Sequence, residues 1–264
     1  MTVVSAAVIG ISLVVAPAPD TRATVTTIIQ SIQRADYEGD RAALKRLHGE
    51  LARFVDDKEL ASRVRYWRGF AMWRRALNGF NESVDRSELA EDLTKCVEDF
   101  RGALERDPGF VDAKGGAASC LVNHSSLLMR SDNARAREFF QQSADFLKDA
   151  LATAPDNPRL LWVQGANQFY TVPERGGGQG LAIATYQRGL ELAQRQKARV
   201  IDPLEPTWGE PELLMNLAFA NLNKANRDVA AAERHAEQAL ALVPYWHYVR
   251  DILLPQIRKA KGAL

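Results

Sequence analysis

Apolar and polar residues alternate along this chain with a helical period, and one version of the pattern occurs three times. Each copy has small or apolar residues four and then three positions apart, with a proline five positions later. Positions four and three apart share one face of an α-helix, and proline does not continue a helix. The pattern therefore predicts three helices that each bury one face and end in a turn. The copies are Cys96-Phe100-Ala103-Pro108, Ser143-Leu147-Ala150-Pro155 and Ala232-Ala236-Ala239-Pro244.

From residue 24 onward, the apolar positions predict helices throughout. Ala, Leu, Arg and Glu are common, and the alternation of β-branched residues that marks strands is nearly absent. Asp40 is placed as an N-cap, Asn78-Gly79 predicts a break, and the small residues 115–119 predict a close helix crossing. Helices are expected at about 24–39, 43–55, 60–77, 88–106, 111–129, 133–152, 158–170, 180–198, 211–224, 228–242 and 245–259.

Composition restricts the class of protein. Hydrophobic residues make up 46% of the chain and charged residues 25%, which is ordinary for a soluble globular protein. Lys and Arg number 34 against 33 Asp and Glu, so the formal net charge is +1. A dedicated nucleic-acid binder carries a basic excess, so this balance argues against nucleic acid as a partner.

The N-terminal segment bears on export. Residues 3–16 form an uncharged apolar stretch, followed by candidate cleavage points near Ala18 and Ala23. At about 14 residues it is shorter than the roughly 20 that a membrane-spanning helix needs. It resembles the apolar part of a secretory signal peptide, although Lys and Arg are missing before it. Residues 1–23 are therefore either a signal peptide of an exported, periplasmic or secreted protein, or a buried first element of a cytoplasmic one. Residues 24–264 are expected to form one domain without a stable membrane span.

The three repeated segments resemble the second helices of tetratricopeptide repeats. That resemblance implies an all-α fold, a right-handed α-α superhelix of about four to five helix pairs with a C-terminal capping helix at Tyr245 onward. Each pair buries its apolar face against the next pair. The family generally binds proteins or peptides on a concave surface lined by the first helices and has no activity of its own. Some exported bacterial relatives belong instead to envelope assembly or solute uptake. The residue pattern of the chaperone-binding carboxylate clamp is missing.

The resemblance also places candidate binding residues on the first helices. Aromatic side chains there are expected to anchor a peptide or a small apolar molecule, and asparagines to bond an extended backbone. For Trp162 and Phe169, core packing is the competing interpretation, because aromatic residues at helical spacing usually belong to the core. The candidates are Asn123, Trp162, Asn167, Phe169, Tyr170 and Asn221.

Cys96 and Cys120 lie at equal distances on either side of Pro108. In a pair of antiparallel helices, the equal rise per residue brings such positions to the same height. An exported chain would allow a disulfide between them, which would fix two stacked helices together. Two small buried thiols are the alternative.

Other chemistry is weakly indicated. The glycine-rich segment 175–180 opens a helix and resembles an anion-binding turn, but it lacks the Lys-Ser/Thr of a P-loop, so a plain connecting loop is the favoured interpretation. The four histidines are scattered, and the sequence contains no metal-ligand spacing and no catalytic constellation. We therefore expect a protein that is not an enzyme and has no metal or cofactor. The first hypothesis is a scaffold that binds a protein or peptide; the alternative is a small-ligand-binding component of an exported uptake system.

Overall fold

The computed structural model describes residues 20–197, 202–223 and 225–262. Within these residues every regular element is helical, which confirms the all-α prediction. The apolar segment 3–16 and the proposed cleavage point near Ala18 lie outside the described residues. The α-helices are α1 (Thr21–Glu38), α2 (Arg41–Glu50), α3 (Ala61–Asn81), α4 (Arg86–Arg106), α5 (Val111–Leu128), α6 (Asn133–Thr153), α7 (Pro158–Tyr170), α8 (Gln179–Lys197), α9 (Glu210–Leu222), α10 (Val229–Leu242) and α11 (Leu254–Gly262).

Short acidic side chains begin many of these helices. The Asp40 carboxylate accepts the Ala43 backbone N–H at 2.8 Å, as the sequence predicts for α2. A side-chain oxygen at the N-cap satisfies one of the backbone donors that a helix leaves free at its start. Similar caps fix where five other helices begin: Asp20 for α1, Asp85 for α4, Asp132 for α6, Asn157 for α7 and Asp228 for α10.

Consecutive helices pack in pairs, α1 with α2 and so on to α9 with α10, and α11 follows. The first helices α3, α5, α7 and α9 also contact one another in chain order. We call the surface that they form together the first-helix face. Each of the nine helical positions in the threefold pattern is buried, from Cys96 on α4 to Ala239 on α10. The pattern therefore marked the side of each second helix that packs against its neighbours.

The small residues 115–119 lie where helices cross closely. A Cβ atom added to Gly116 would stand 2.4 Å from the Phe100 ring, and one added to Gly115 would stand 2.6 Å from Leu160. The Phe100 ring is fully buried and also packs against the Tyr66 and Trp73 rings. Glycine is therefore required at position 116 by packing rather than by backbone conformation.

This packing gives a first prediction. Gly116→Ala is expected to lower the free energy of unfolding by about 1–3 kcal/mol, because the added methyl overpacks a rigid aromatic neighbour. Gly49→Ala on α2 is the matched control, since nothing lies within 4 Å of its added Cβ. The control should gain up to about 1 kcal/mol from the helix propensity of alanine. Urea unfolding of the two variants checks this, and equal stabilities would contradict the close crossing.

The predicted break at Asn78-Gly79 is wrong, because α3 continues to Asn81. The Asn78 side chain donates to the Asp36 backbone carbonyl at 3.1 Å. Gly79 lets the Leu89 side chain approach closely, since a Cβ atom added to this glycine would stand only 2.7 Å from Leu89. Tertiary contacts therefore outweigh the local breaking tendency of this dipeptide. The predicted C-terminal helix also differs, since a π-helical segment, Tyr248–Leu253, precedes α11.

Within the residues that the structure describes, no helix combines the length and the apolar character needed to cross a membrane.

Candidate functional site

The segment of residues 202–209 lies across the first-helix face. The Trp67 indole N–H on α3 donates to the Leu204 carbonyl at 2.8 Å. The Trp208 indole N–H donates to the Tyr66 hydroxyl, also at 2.8 Å. Glu205 pairs with Arg63 on α3 at 2.7 Å. These contacts hold the 202–209 segment against α3, far from it in sequence.

Trp208 completes a buried aromatic cluster. Its ring centroid lies 5.7 Å from Phe70, 5.5 Å from Trp73 and 5.7 Å from Trp162. Such spacings and the edge-on geometry of the Trp73 and Trp162 contacts are typical of favourable aromatic pairs. Trp162 of α7 is therefore a core residue, 6% exposed, rather than an anchor open to a partner.

Helix α1 is joined to α3 and α9 by a buried charged cluster, which we call the Arg74 cluster: Asp36, Tyr37, Arg74 and Glu212. Arg74 donates to the Asp36 carboxylate at 2.7 Å and lies 3.7 Å from Glu212. The Tyr37 hydroxyl donates a hydrogen bond to the Glu212 carboxylate at 2.8 Å. Two carboxyl groups therefore share one guanidinium in a region closed to solvent.

Burial dominates the ionisation of this cluster. It raises the pKa of Asp36 and of Glu212, although the Arg74 guanidinium opposes the shift in both. It also raises the pKa of Tyr37, with a further contribution from the Glu212 carboxylate. For Arg74, burial opposes the charge, but the Asp36 and Glu212 carboxylates prevail and raise its pKa. The cluster thus favours protonation of its acidic groups.

The Arg74 cluster predicts how stability depends on pH. A carboxyl group whose pKa is raised on folding contributes stability below its unfolded pKa, near 4, and loses that contribution as pH rises through the folded value. Glu212→Gln removes one of these titrations, while its amide oxygen can accept from the Gly209 N–H and its NH₂ can donate to Tyr37. The variant should therefore gain stability relative to the native chain as pH rises from 5 to 8, by about 1.4 kcal/mol per unit of pKa displacement.

Urea unfolding at several pH values measures this difference. Glu59→Gln is the control, because Glu59 is an exposed carboxylate outside the cluster. Its stability should follow that of the native chain at every pH. If the free energy of unfolding changes with pH equally in the native chain and in the Glu212 variant, the Glu212 carboxyl group has the same pKa in the folded and unfolded states, and the prediction is wrong.

An open cleft of about 650 Å³ lies beside the Arg74 cluster. One wall is a face of α1, since Gln30, Gln33, Arg34 and Tyr37 follow a helical spacing. The other walls come from the end of α8, the 202–209 segment with the start of α9, and the end of α10: Ala193, Gln196, Thr207, Trp208, Glu210, Pro211, Leu242, Val243 and Tyr245.

The cleft combines aromatic walls with one guanidinium. The Arg34 guanidinium lies 4.5 Å from the centroid of the Tyr245 ring and pairs with Glu38 at 2.7 Å. Leu242, which also lines the cleft, is 39% exposed and adds apolar surface to it. Tyr37 and Trp208 are shared with the two buried clusters and are therefore held rigidly. This arrangement can bind a flat apolar molecule and place an anionic group near Arg34.

The sequence-predicted binding residues do not line this cleft. Trp162, Phe169 and Asn221 are buried, which corrects the expectation that they are offered to a partner. The Asn221 amide donates to the Leu217 carbonyl of its own helix, and the Asn123 amide similarly donates to Ser119, each at 2.8 Å. Each of these bonds uses one of the two amide N–H groups within the residue's own helix.

Tyr170 and Asn167 near the end of α7 remain accessible. Asn167 is half-buried, and Tyr170 is 75% exposed. Burial raises the pKa of Tyr248 to about 12, with a smaller contribution from Tyr170. The sequence missed the cleft residues of α1, for which the only signal is a polar stripe opposite the apolar positions Ile28, Ile29 and Ile32.

The glycine-rich loop does not present its amides to a ligand. The N–H groups of Gly176, Gly177 and Gly178 donate to carbonyls of Pro173, Val172 and Gln168, respectively, at 2.8–3.2 Å. These bonds form a compact turn and favour the interpretation of a connecting loop over that of an anion site.

The structure joins Cys96 of α4 and Cys120 of α5 in a disulfide, with their Cα atoms 6.5 Å apart. His48 pairs with Asp99 at 2.7 Å and His247 pairs with Asp251 at 2.9 Å, and each carboxylate also pairs with an arginine, Arg68 or Arg250. No group of three His, Cys, Asp or Glu side chains suited to a metal ion occurs within the part of the chain that the structure describes.

Neither a protein-family model nor a curated protein sequence matches this chain. Among solved structures, the HusA haemophore from Porphyromonas gingivalis has a similar fold, with a TM-score of 0.58. The two chains are 17% identical, and the match covers 78% of this chain and 95% of the haemophore. At this identity the similarity establishes a shared helical arrangement over nearly all of the haemophore.

Proposed function

We propose that this protein binds a small, flat, largely apolar molecule in the cleft between α1 and the end of α10. The observation that carries the proposal is the cleft itself, whose 650 Å³ falls within the range of small-molecule sites. Tyr37, Trp208 and Tyr245 supply aromatic surface there. The proposed function involves no covalent chemistry, so the protein would be a carrier or binding component rather than an enzyme.

The fold neighbour supports a particular ligand class. That protein is called a haemophore, and a haem is a flat aromatic macrocycle with carboxylate groups at one edge. In the cleft, the macrocycle would pack against the aromatic walls and Leu242, and a carboxylate would lie near Arg34. Glutamine and threonine side chains at the rim would contact the remaining polar groups.

The same proposal includes export and membership of an uptake system. The apolar stretch 3–16 would then belong to a signal peptide, with cleavage near Ala18 rather than near Ala23, because Ala23 lies within α1, Asp20 caps that helix and Arg22 pairs with Asp202. We also propose that the helix pairs are degenerate tetratricopeptide-like repeats and that residues 24–264 form a single domain. The scaffold hypothesis stays a prediction, and the 202–209 segment already covers part of the first-helix face that a peptide partner would need.

Porphyrin titration tests the proposed function. Haemin and iron-free protoporphyrin IX are added separately to the purified protein, and binding is followed by quenching of tryptophan fluorescence and by the porphyrin absorption band. Saturable binding of one molecule per chain is expected. Tyr245→Ala should weaken it at least tenfold, about 1.4 kcal/mol, because it removes an aromatic wall and the ring beneath Arg34.

Phe140→Ala on α6 is the matched control, since this aromatic side chain is 59% exposed and lies outside the cleft. It should leave porphyrin affinity unchanged. Absence of saturable binding, or equal loss in the two variants, would overturn the proposal. Binding of haemin but not of the iron-free porphyrin would show that the metal, rather than the flat apolar ring, is what the cleft recognises.

A further inference from the structure

Gln196, near the end of α8, borders two recesses of the surface. It lines the 650 Å³ cleft and also a neighbouring recess of about 300 Å³, whose other walls are Asp156, Pro158, Leu192 and Arg195. Its side chain is half-buried. The Gln196 amide therefore lies where a ligand that fills the cleft and extends towards the recess would meet it.

The guanidinium that contacts Gln196 is itself fixed in place. Arg159 of α7 is 5% exposed and donates to both oxygens of the Asp112 carboxylate, from Nε at 2.6 Å and from Nη2 at 3.3 Å. The Asn157 amide holds the same carboxylate at 3.2 Å. The remaining nitrogen of Arg159, Nη1, donates to the Gln196 Oε1 atom at 2.9 Å and lies 3.5 Å from the Trp208 carbonyl. Gln196 is thus held by a rigid partner.

The chemistry of that partner decides which way the Gln196 amide faces. A guanidinium has N–H donors and no acceptor, so only the amide oxygen can face Arg159. The amide NH₂ group then points away from Arg159, and no acceptor pairs with it among the residues that the structure describes. Gln196 therefore offers N–H donors in a fixed orientation at the border of the cleft.

Positive charge lies close to this amide. Arg34 stands on the α1 wall of the cleft, and Arg195 lines the neighbouring recess. The Arg195 side chain is 75% exposed and is only distantly paired, with Glu191 at 3.8 Å. Asp156, the acidic residue of the recess, is already paired with Arg188. Arg195 can therefore turn towards an anionic group without breaking a close ion pair.

We propose that Gln196 determines which ligands the cleft accepts, by donating from its fixed amide to a carboxylate of the ligand, with Arg195 as the neighbouring cation. This inference rests on the proposed function and adds the residue and the chemical group that select the ligand. An ionised carboxylate only accepts, so it complements an NH₂ group that cannot turn round without breaking the bond to Arg159. A ligand without an acceptor at this point is rejected, because the donor is then left unpaired.

Gln196→Glu tests the assignment, because it changes the donor and little else. The glutamate side chain has nearly the same size, and its carboxylate can still accept from Arg159. The group that faces the ligand changes from a donor into a negatively charged acceptor. Gln194→Glu is the matched control, since it makes the same change of charge at an exposed position of the same helix, outside both recesses.

The three proteins are titrated at pH 8 with protoporphyrin IX and with its dimethyl ester, in which both carboxylates are replaced by uncharged groups. Gln196→Glu should bind the free acid at least about 30-fold more weakly than the native protein, because two carboxylates then face each other. Its loss of affinity for the ester should be no more than about fivefold, since only a hydrogen bond is lost. Gln194→Glu should stay within about twofold of the native protein for both porphyrins, because solvent and salt screen an exposed charge.

The outcomes separate this inference from the proposed function. If the native protein binds porphyrin but Gln196→Glu weakens the acid and the ester equally, or no more than Gln194→Glu does, the inference is wrong and the proposed function stands. If the native protein binds neither porphyrin, both are wrong. Circular dichroism checks that each variant is folded. Should Gln196→Glu be unfolded, Gln196→Met removes the donor without adding charge, and it should weaken the acid about tenfold and the ester less; equal losses would overturn the inference.

Discussion

Replacing Arg74 with methionine is expected to lower the free energy of unfolding by about 3–5 kcal/mol, the typical cost of removing one partner from a buried ion pair. Arg74 is 4% exposed and neutralises both Asp36 and Glu212. Methionine fills similar space but supplies no charge and no donor. Two buried carboxyl groups would then lack their guanidinium partner, and α1 would be held to α3 and α9 by fewer bonds, chiefly those of Asn78 with Asp36 and of Tyr37 with Glu212.

Thermal unfolding measures this loss, which corresponds to a fall of roughly 10 °C in melting temperature for a chain of this size. Arg46→Met is the control, because Arg46 pairs with Glu50 on the exposed surface of α2. Its effect should stay within about 0.5 kcal/mol. Adding Asp36→Asn and Glu212→Gln to Arg74→Met should recover part of the stability, since no buried charge then remains. A loss below 1 kcal/mol in the single variant would mean that the cluster is not closed to water.

Loss of the Cys96–Cys120 disulfide is expected to be the second large effect, at about 3 kcal/mol. The two residues are 24 apart in sequence, and the estimate follows from the restriction that a loop of this length imposes on the unfolded chain. In the folded protein, the bond also joins two consecutive helix pairs through α4 and α5. Both sulfurs are buried, so a reductant should act mainly on unfolded molecules.

Urea unfolding of the oxidised protein and of Cys96→Ala/Cys120→Ala compares the two states. The double variant removes the bond without leaving a free thiol. Met129→Ala on the exposed end of the α5–α6 turn is a control for a substitution of similar size, since Met129 is 56% exposed. Equal stability of the oxidised protein and the double variant would mean that the bond does not restrain the unfolded chain. A disulfide in protein isolated from its own source would also support export, because such bonds persist in oxidising compartments.

The sequence predicts the helices well because their signals are local. The spacing that relates Ser143, Leu147 and Ala150 is satisfied within two helical turns, and all three residues are buried as expected. Proline and the acidic caps fix most helix ends within a few residues. The Asn78-Gly79 exception arises because Asn78 bonds to Asp36, which lies 42 residues earlier.

The candidate site could not be predicted in the same way, because it is built from distant residues. Tyr37 reaches Glu212 across 175 positions, and Trp67 reaches Leu204 across 137. Periodicity shows that Trp162 lies on the apolar side of a helix, but it does not show what covers that side. The cover is the 202–209 segment, whose prolines and single tryptophan give no helical pattern. Core packing, the competing interpretation for Trp162 and Phe169, is the one that agrees with their burial.

The position of α1 has a consequence for the order in which the protein folds. In a simple repeat array, each unit is completed by its neighbour, so folding can follow synthesis from one end to the other. Here α1 is made first, yet Tyr37 needs Glu212 and packs 5.0 Å from the ring of Trp246. Helix α1 already contacts α2 and α3, but its contacts with Glu212 and Trp246 can form only after most of the chain has been synthesised, and such distant contacts slow folding. Until then, the face of α1 that carries Tyr37 lacks its partners from the C-terminal helices.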